Sequence, residues 1–276
     1  MLVTLNELLP KAAAEGYAVG LFNTTDSDML QAVIDAAEEV RSPVIIGTAE
    51  ILLPSGELSL ISPSIVSIAK HASVPVAVHY DHGLTFDRCM QALKLGFSSV
   101  MFDGSLGDPV ENVKNTKEMV RIAHAFGATV EGEIGHVGNA DEEGSVYCHT
   151  TPEEAKEFIE KTGVDALAIA IGTAHGAYKQ APKLNFERLS EIKKETNVPL
   201  VLHGGSGLTD EDFKKAIALG ISKINIYTDL CLAGQRAMRD GLEQGLSYLS
   251  VRDLKVKYIK DAVIEKMTLF GSCQKA

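Results

Sequence analysis

Short apolar runs alternate along the chain with stretches whose apolar residues recur at helical spacing. Eight such runs follow one another: YAVGLF (17–22), PVIIG (43–47), PVAVHY (75–80), SSVMF (98–102), ATVEGEI (128–134), ALAIAI (166–171), PLVLH (199–203) and SKINIY (222–227). Between most of them lie amphipathic segments such as DMLQAVIDAAEEV and PEEAKEFIEKTG. Because most of the runs are apolar without strict alternation, they are typical of strands that are buried on both faces. The pattern predicts an α/β protein, a (β/α)₈ TIM barrel.

An open, doubly wound sheet is the alternative fold for the same alternation. Against it, no GxGxxG turn follows the first run, and no break in composition marks a second domain. We therefore expect one domain over residues 1–276. The region after Cys231 predicts two or more additional helices, the last around DAVIEKMTLFG, packed outside the barrel or against a partner.

Charge and composition restrict the classes of partner. The chain of 276 residues has a formal net charge of −11, which disfavours nucleic acid and anionic membrane surfaces as partners. The N-terminal segment lacks a signal-peptide pattern, and no apolar segment has the length of a membrane span, so we expect a cytoplasmic protein. The four cysteines form no CxxC pair and are expected to be reduced and unpaired.

Polar residues cluster where the predicted strands end. In chain order they are Asn23, Thr48, Asp81 with His82, Asp103 with Ser105, Glu131 with Glu133, His175, His203, and Asn225 with Thr228. The active sites of TIM barrels lie at the C-terminal ends of the strands. The sequence therefore predicts one site built from several strand ends.

Three of these residues are histidines, and they predict a metal centre. His82, His175 and His203 follow separate strands, and three neutral imidazoles hold a catalytic zinc while leaving a coordination position for substrate. His79 shares a strand with Asp81 and is expected either to support the metal site or to fill the barrel. Three further histidines, His71, His124 and His149, fall in helical patterns or a loop and are expected to be surface or packing residues.

The last two predicted strands carry a signal for phosphate binding. HGGSG after the seventh strand offers consecutive backbone N–H groups without side-chain obstruction and leads into a helix that opens LTDEDF. The eighth strand adds Asn225 and Thr228 as hydrogen-bond donors. A tight turn alone would also explain GGSG, but its position matches the usual phosphate site of the barrel.

Five motifs in order resemble those of the class II, zinc-dependent ketose-bisphosphate aldolases, which include fructose-bisphosphate and tagatose-bisphosphate aldolases. They are DHG (81–83), EGEIG (131–135), AIGTAHGAY (170–178), VLHGGSG (201–207) and KINIYT (223–228). The resemblance extends from FN (22–23) to KMTLFGS (266–272). It implies one zinc per subunit on His82, His175 and His203, dihydroxyacetone phosphate as the ketone half, and a homodimer or homotetramer.

The resemblance also implies roles for individual residues. Asp81 matches the acid/base that exchanges a proton with the hydroxyl of the aldehyde half, with a supporting role beside the metal as the alternative. A glutamate of the loop after the fifth strand handles the carbon proton; Glu142 or Glu143 matches it, and Glu142 is preferred. Glu133 matches a ligand of a displaced zinc. Positions that contact phosphate or an associated monovalent cation, Na⁺ or K⁺, are Gly176, Gly204, Gly205, Ser206, Asn225 and Thr228, and Asn23 and Asp103 match further polar positions of the site.

Two departures from the family pattern concern the substrate. Fructose-bisphosphate aldolases hold the far phosphate with a C-terminal arginine, but Val256 or a neighbour stands there and Arg252 is out of register. A phosphate-binding serine of some relatives is replaced by Thr48 and Ala49. We therefore expect fructose 1,6-bisphosphate to be a poor substrate and the aldehyde to carry a neutral or carboxylated end.

Two functions other than an aldolase remain as alternatives. They are a metal-dependent sugar-phosphate epimerase or isomerase and a noncatalytic subunit of an aldolase complex.

Overall fold

Strands and helices alternate through the computed structural model, which describes residues 1–55, 57–138, 149–176, 178 and 182–276. The strands are β1 (Leu2–Val3), β2 (Val19–Asn23), β3 (Val44–Ala49), β4 (Val76–Gly83), β5 (Ser99–Phe102), β6 (Thr129–Ile134), β7 (Ala166–Ile169), β8 (Leu200–Leu202) and β9 (Ile221–Ile226). The helices are α1 (Leu5–Glu15), α2 (Ser27–Val40), α3 (Leu58–His71), α4 (Phe86–Lys94), α5 (Pro109–Ala125), α6 (Pro152–Thr162), α7 (Phe186–Glu195), α8 (Asp210–Ala218), α9 (Thr228–Glu243) and α10 (Tyr248–Leu269). A 3₁₀ helix at Glu50–Ser55 follows β3.

The strands β2 to β9 form a closed parallel barrel. Each pairs with the next one along the chain, and β9 pairs with β2 through registers such as Leu21 with Asn225. These eight strands are the eight apolar runs of the sequence, so the prediction of a (β/α)₈ barrel is confirmed. Closure brings all C-terminal ends of these eight strands to one mouth, while β1 pairs with β4 alone.

The N-terminal mouth of the barrel is closed by α1, an element that the sequence pattern had not suggested to us. Thr4 caps the start of the helix and forms a capping box with Glu7, whose carboxylate accepts a hydrogen bond from the N–H of Thr4. Leu5 and Leu9 of α1 are fully buried and belong to the same apolar cluster as Leu21, one of the inward-facing strand residues. This end of the barrel is therefore packed and apolar.

The interior becomes polar towards the C-terminal mouth. On β4 the inward positions change from Ala77 to His79 and Asp81, and on β2 they change from Leu21 to Asn23. All of these side chains are buried. The interior beneath them is apolar and closed by α1. These polar groups can therefore be paired only with one another, or with water or a ligand that enters from the C-terminal mouth.

Helices α9 and α10 pack outside the barrel, as the sequence predicted, but α10 begins well before DAVIEKMTLFG. Its buried residues Ile259, Val263 and Met267 belong to the main core, and Lys260 pairs with Glu39 of α2 at 2.6 Å. Within the described ranges, no helix combines the length and the apolar character that crossing a membrane requires.

Candidate active site

A pocket of about 430 Å³ opens at the C-terminal mouth of the barrel. Most of the site residues that the sequence predicted line it: Asn23, Asp81, His82, Asp103, His175, Gly176, Gly204, Gly205, Ser206, Asn225 and Thr228. His203 and Glu133 are fully buried directly beside them. The strand ends therefore bring together the residues that the sequence had only suggested as neighbours.

The three predicted ligand histidines converge on one point. Nε2 of His82 lies 2.8 Å from Nδ1 of His203, and one ring nitrogen from each of His82, His175 and His203 lies within 4.8 Å of the others. In a tetrahedral zinc site, ligand nitrogens are separated by about 3.3 Å, given Zn–N bonds of about 2.05 Å. Small side-chain rotations therefore suffice for these residues to hold a metal ion.

Carboxylates orient two of these imidazoles. Nδ1 of His82 lies 2.7 Å from Oδ2 of Asp103, and Nε2 of His203 lies 2.8 Å from Oε1 of Glu131. A carboxylate oxygen only accepts, so these ring nitrogens carry the protons. The opposite nitrogens, Nε2 of His82 and Nδ1 of His203, face each other as a hydrogen-bonded pair at 2.8 Å. A metal that displaces the proton between them would find a lone pair on each nitrogen, the arrangement that carboxylates typically impose on metal-binding histidines.

The backbone at His82 supports a functional interpretation. His82 has φ of 46°, in the left-handed region that costs a side-chain-bearing residue of this kind about 1 kcal/mol or more. Gly204 also has positive φ, and a Cβ there would lie 2.3 Å from the carbonyl oxygen of Ala174. Local strain at a ligand and close backbone contact at a glycine are typical of binding sites.

Glu133 lies beside the cluster of three histidines. Its Oε2 lies 3.7 Å from Nδ1 of His203 and has no hydrogen-bond partner in the portion of the chain that the structure describes. Burial and the nearby Asp103 carboxylate raise the pKa of Glu133 to about 8, against the opposing effect of His82. A buried carboxylate oxygen beside imidazole nitrogens is suited to a metal ligand.

Asp81 is held by two amides at the centre of the pocket. Nδ2 of Asn23 donates to Oδ2 at 2.8 Å, and Nδ2 of Asn225 donates to Oδ1 at 3.1 Å. Burial alone would raise the pKa of Asp81, but the electrostatic effects of His82, His203 and Lys223 outweigh burial and hold the pKa well below its usual range. The carboxylate is therefore ionised and fixed in position, as a proton acceptor would have to be.

Backbone groups form an anion cradle on one side of the pocket. Gly204, Gly205 and Ser206 follow β8, and Thr228 opens α9, whose preceding residue Tyr227 provides no side-chain cap. Oγ of Ser206 accepts hydrogen bonds from the backbone N–H groups of Tyr227 and Asp229 at 3.3 and 3.4 Å, so it lies at this N-terminus, where the helix dipole favours an anion. Nearby, the hydroxyl of Tyr178 donates to the carbonyl oxygen of Gly204 and accepts from the N–H of Ala174, both at 2.8 Å, which ties the two loops together.

Comparison with known proteins decides the family. The model of the family "Fructose-bisphosphate aldolase class-II" matches residues 3–275. The chain belongs to this family. The class II aldolase is thus an enzyme, a lyase, and its fold agrees with that of related aldolases.

Two curated relatives span the class II aldolase almost completely. The uncharacterized protein YdjI of Escherichia coli strain K12 is 44% identical over 268 residues, with 96% of each chain covered. A fructose-bisphosphate aldolase of Thermus caldophilus is 43% identical over an alignment of 310 positions, with both chains fully covered.

Among solved structures, the YdjI aldolase of Escherichia coli K12 superposes with a TM-score of 0.92 at 41% identity, covering 100% of both chains. A putative fructose-1,6-bisphosphate aldolase of Coccidioides immitis gives 0.89 at 29% identity, covering 98% of this chain and 96% of the other.

Lys223 of the aldolase is a site residue that sequence reasoning missed. Its side chain is fully buried; Nζ lies 2.9 Å from Oε2 of Glu131 and donates to Oδ1 of Asn225 at 2.7 Å. Since Glu131 orients His203 and Asn225 holds Asp81, one ammonium group supports both halves of the site. The strand KINIY could have indicated this role, because side chains alternate along a strand and Lys223 and Asn225 therefore lie on one face of β9.

Other predicted positions lie elsewhere. Glu142 and Glu143, the candidates for the loop base, fall outside the described residues. Val256 is buried on α10, while Arg252 is ion-paired with Asp28 at 3.0 Å and donates to Gln31, and neither lines the pocket. His79 is fully buried, with Nδ1 2.7 Å from Oγ of Ser99. His71, His124 and His149 are exposed, as expected.

Proposed function

We propose that the protein catalyses the reversible cleavage of a ketose 1-phosphate into dihydroxyacetone phosphate and an aldehyde. In cleavage, the hydroxyl on the aldehyde half loses its proton, the adjacent C–C bond breaks, and the electron pair stays on the ketone half, where a proton then adds to carbon. The reverse direction removes that carbon proton and forms the C–C bond. No oxidant or other reactant is needed.

One juxtaposition carries the proposal. The histidine cluster, the ionised Asp81 and the anion cradle open into a single pocket. The chemistry requires an electrophile at the ketone, a base at the hydroxyl and a fixed phosphate. An aldol reaction uses all three together, and family membership favours it over the epimerase or isomerase alternative.

The metal that fits this donor set is zinc, one ion held by His82, His175 and His203. Bound there, zinc supplies Lewis acidity towards the oxygens of the ketone half and thereby stabilises charge on the enediolate. The chain's own contribution is to hold the imidazoles through Asp103 and Glu131 and to keep Glu133 beside them. A nitrogen-rich set of this kind also disfavours magnesium or calcium, which prefer oxygen ligands.

Asp81 is the residue proposed to exchange the proton of the aldehyde-half hydroxyl. Its two oxygens are fixed by Asn23 and Asn225, and its low pKa keeps it ionised before cleavage. Proton exchange at the carbon is proposed for Glu142, with Glu143 as the alternative, on the strength of the resemblance alone.

The phosphate of the ketone half is proposed to bind Gly204, Gly205, Ser206 and the N-terminus of α9, with Gly176 and Asn225 alongside. A monovalent cation at this phosphate remains a prediction from the resemblance, as does a homodimer or homotetramer.

For the second half of the substrate, the proposal departs from relatives named fructose-bisphosphate aldolases. Arg252 is engaged with Asp28 and Gln31 on α2, and Val256 is buried. We therefore propose that fructose 1,6-bisphosphate is not the best substrate.

The test is deuterium exchange at the hydroxymethyl carbon of dihydroxyacetone phosphate in D₂O, followed by NMR on zinc-loaded protein. Exchange is expected with metal, and it should disappear with a chelator and in His203→Ala. His124→Ala, which removes an exposed histidine of α5, is the matched control and should exchange normally. Absence of exchange in zinc-loaded wild-type protein would contradict the proposed function.

A further inference from the structure

The pocket has two chemically different sides. The anion cradle follows β8 and β9, whereas a second set of lining residues follows β3, β4 and β5. In a closed eight-stranded barrel, β8 stands opposite β4 and β9 stands opposite β5. A substrate whose phosphate lies in the cradle must therefore extend its other end across the mouth towards the β3–β5 side.

That opposite side is apolar. Its lining residues include Ile51 of the 3₁₀ helix after β3, Leu84 after β4 and Leu106 after β5, whose exposed fractions are 76%, 53% and 75%. Large apolar side chains that remain this exposed at the rim of a pocket are typical of a binding surface. We refer to these three residues as the apolar rim.

Charge on this side does not favour an anion. No lysine or arginine lines the pocket within the described ranges, whereas Asp81 and Asp103 do, and Glu50 accepts a hydrogen bond from the backbone N–H of Leu84. Arg88, on the helix that follows β4, is directed to Glu57 at 2.9 Å. The one further imidazole of the described lining outside the three predicted ligands is that of His136, 3.3 Å from Oγ of Ser105. A second phosphate or a carboxylate would therefore meet carboxylates and leucines without a lysine or arginine partner among the described lining residues, which costs affinity.

We infer that the aldehyde released by this enzyme is uncharged, with neither a phosphate nor a carboxylate, and that the apolar rim determines this specificity. The inference rests on the proposed function, because it assigns the aldehyde half of that reaction. It also narrows the sequence-based expectation, which left a carboxylated end open.

The direct test compares three-carbon aldehydes in the condensation with dihydroxyacetone phosphate: glyceraldehyde, glyceraldehyde 3-phosphate, and the corresponding aldehyde with a terminal carboxylate. For wild-type protein we expect kcat/KM for glyceraldehyde to exceed both others by about tenfold or more, the equivalent of one missing charge-assisted hydrogen bond. A higher kcat/KM for either charged aldehyde would overturn the inference.

A change of the apolar rim should shift the preference. In Leu106→Arg and, independently, Leu84→Arg, the ratio of kcat/KM for glyceraldehyde 3-phosphate to that for glyceraldehyde should rise by about tenfold. The matched control is Leu60→Arg, which places the same charge on an equally exposed leucine of α3, 77% exposed, away from the pocket. Its ratio should stay at the wild-type value. If neither rim variant changes the ratio while both bind zinc as the wild type does, the apolar rim does not determine specificity.

The deuterium-exchange assay separates this inference from the proposed function. Exchange without any preference for the uncharged aldehyde would contradict only the inference, whereas no exchange with zinc-loaded protein would contradict the proposed function and the inference together.

Discussion

Oδ2 of Asp103 accepts a hydrogen bond from Nδ1 of His82 at 2.7 Å, and this contact sets which nitrogen of His82 faces the pocket. Nε2, on the other side of the ring, then lies 2.8 Å from Nδ1 of His203. Asp103 would not itself need to touch a metal in order to determine how well the imidazole binds it, because it fixes both the ring orientation and the position of the proton.

Replacing Asp103 by Asn should therefore weaken zinc binding. The amide of Asn is uncharged, so it holds the Nδ1 proton of His82 less firmly than a carboxylate does. Loss of such a supporting carboxylate typically lowers metal affinity 10- to 100-fold, and we expect a loss of about that size. Competition with a chelator of known affinity measures it directly.

Asp165→Asn provides the control for that experiment. Asp165 also pairs with a histidine, His124, at 2.9 Å, but it precedes β7 at the opposite end of the barrel. Its replacement should leave zinc affinity unchanged. An equal loss in both variants would mean that the effect reflects general destabilisation and not the orientation of His82.

The pH dependence of metal binding should report the protonation of His82. Burial alone would lower the pKa of His82, but Asp81 and the hydrogen bond to Asp103 outweigh it and raise the pKa to about 10. Metal must displace this proton, so the association constant should rise about tenfold per pH unit between pH 7 and 9. A flat profile would show that His82 is already neutral in the metal-free protein.

The same shift predicts how the stability of the metal-free protein depends on pH. A group whose pKa is raised by folding stabilises the fold fully below its unfolded pKa, here 6.5, and this contribution is lost as the pH rises to about 10. Urea unfolding at pH 6 and pH 10 should therefore show a decrease in the free energy of unfolding, and His82→Asn should reduce that decrease.

The buried pair of Lys223 and Glu131 predicts a large effect on stability. Lys223→Met would leave the Glu131 carboxylate buried without its cationic partner, and we expect the free energy of unfolding to fall by about 3–5 kcal/mol. The double variant Lys223→Met/Glu131→Gln should be less destabilised than the sum of its single variants by about 1 kcal/mol or more. Urea unfolding measures all three.

An exposed pair offers the comparison. Lys156 and Glu195 lie 3.3 Å apart with about half of each side chain exposed, at 51% and 50%. Lys156→Met should change the free energy of unfolding by no more than about 0.5 kcal/mol. If Lys223→Met proved equally mild, Glu131 would have to be protonated or solvated within the barrel.

The sequence predicted the barrel and most of the residues that line the candidate pocket because both depend on position along strands. His82, His175 and His203 stand at strand ends, and parallel strands in a barrel bring those ends to one mouth. Lys223 escaped prediction because a lysine in an apolar strand is ordinarily expected on the solvent side. Its burial makes sense only once Glu131 and Asn225 are known to face it.

The apolar rim was not predicted for a different reason. Ile51, Leu84 and Leu106 stand in connections after strands, where no periodicity separates a lining residue from a residue on the outer surface. His136 lines the pocket with Nδ1 3.3 Å from Oγ of Ser105, and it likewise stands after a strand, directly beyond the EGEIG motif, where no periodicity marks a lining residue. Closure of the barrel, not local pattern, brings these connections together.

Asp81→Asn separates the two proton transfers of the proposed reaction. If Asp81 exchanges the hydroxyl proton of the aldehyde half, removing its charge should lower kcat for cleavage by about 10²–10⁴-fold. Deuterium exchange on dihydroxyacetone phosphate should persist, because that proton leaves carbon on the other half of the substrate. Steady-state cleavage and NMR exchange on the same zinc-loaded preparation measure both, with wild-type protein in parallel. A parallel loss of exchange and cleavage would assign Asp81 to the carbon proton instead, and unchanged cleavage would leave it the role of a support for Asn23 and Asn225.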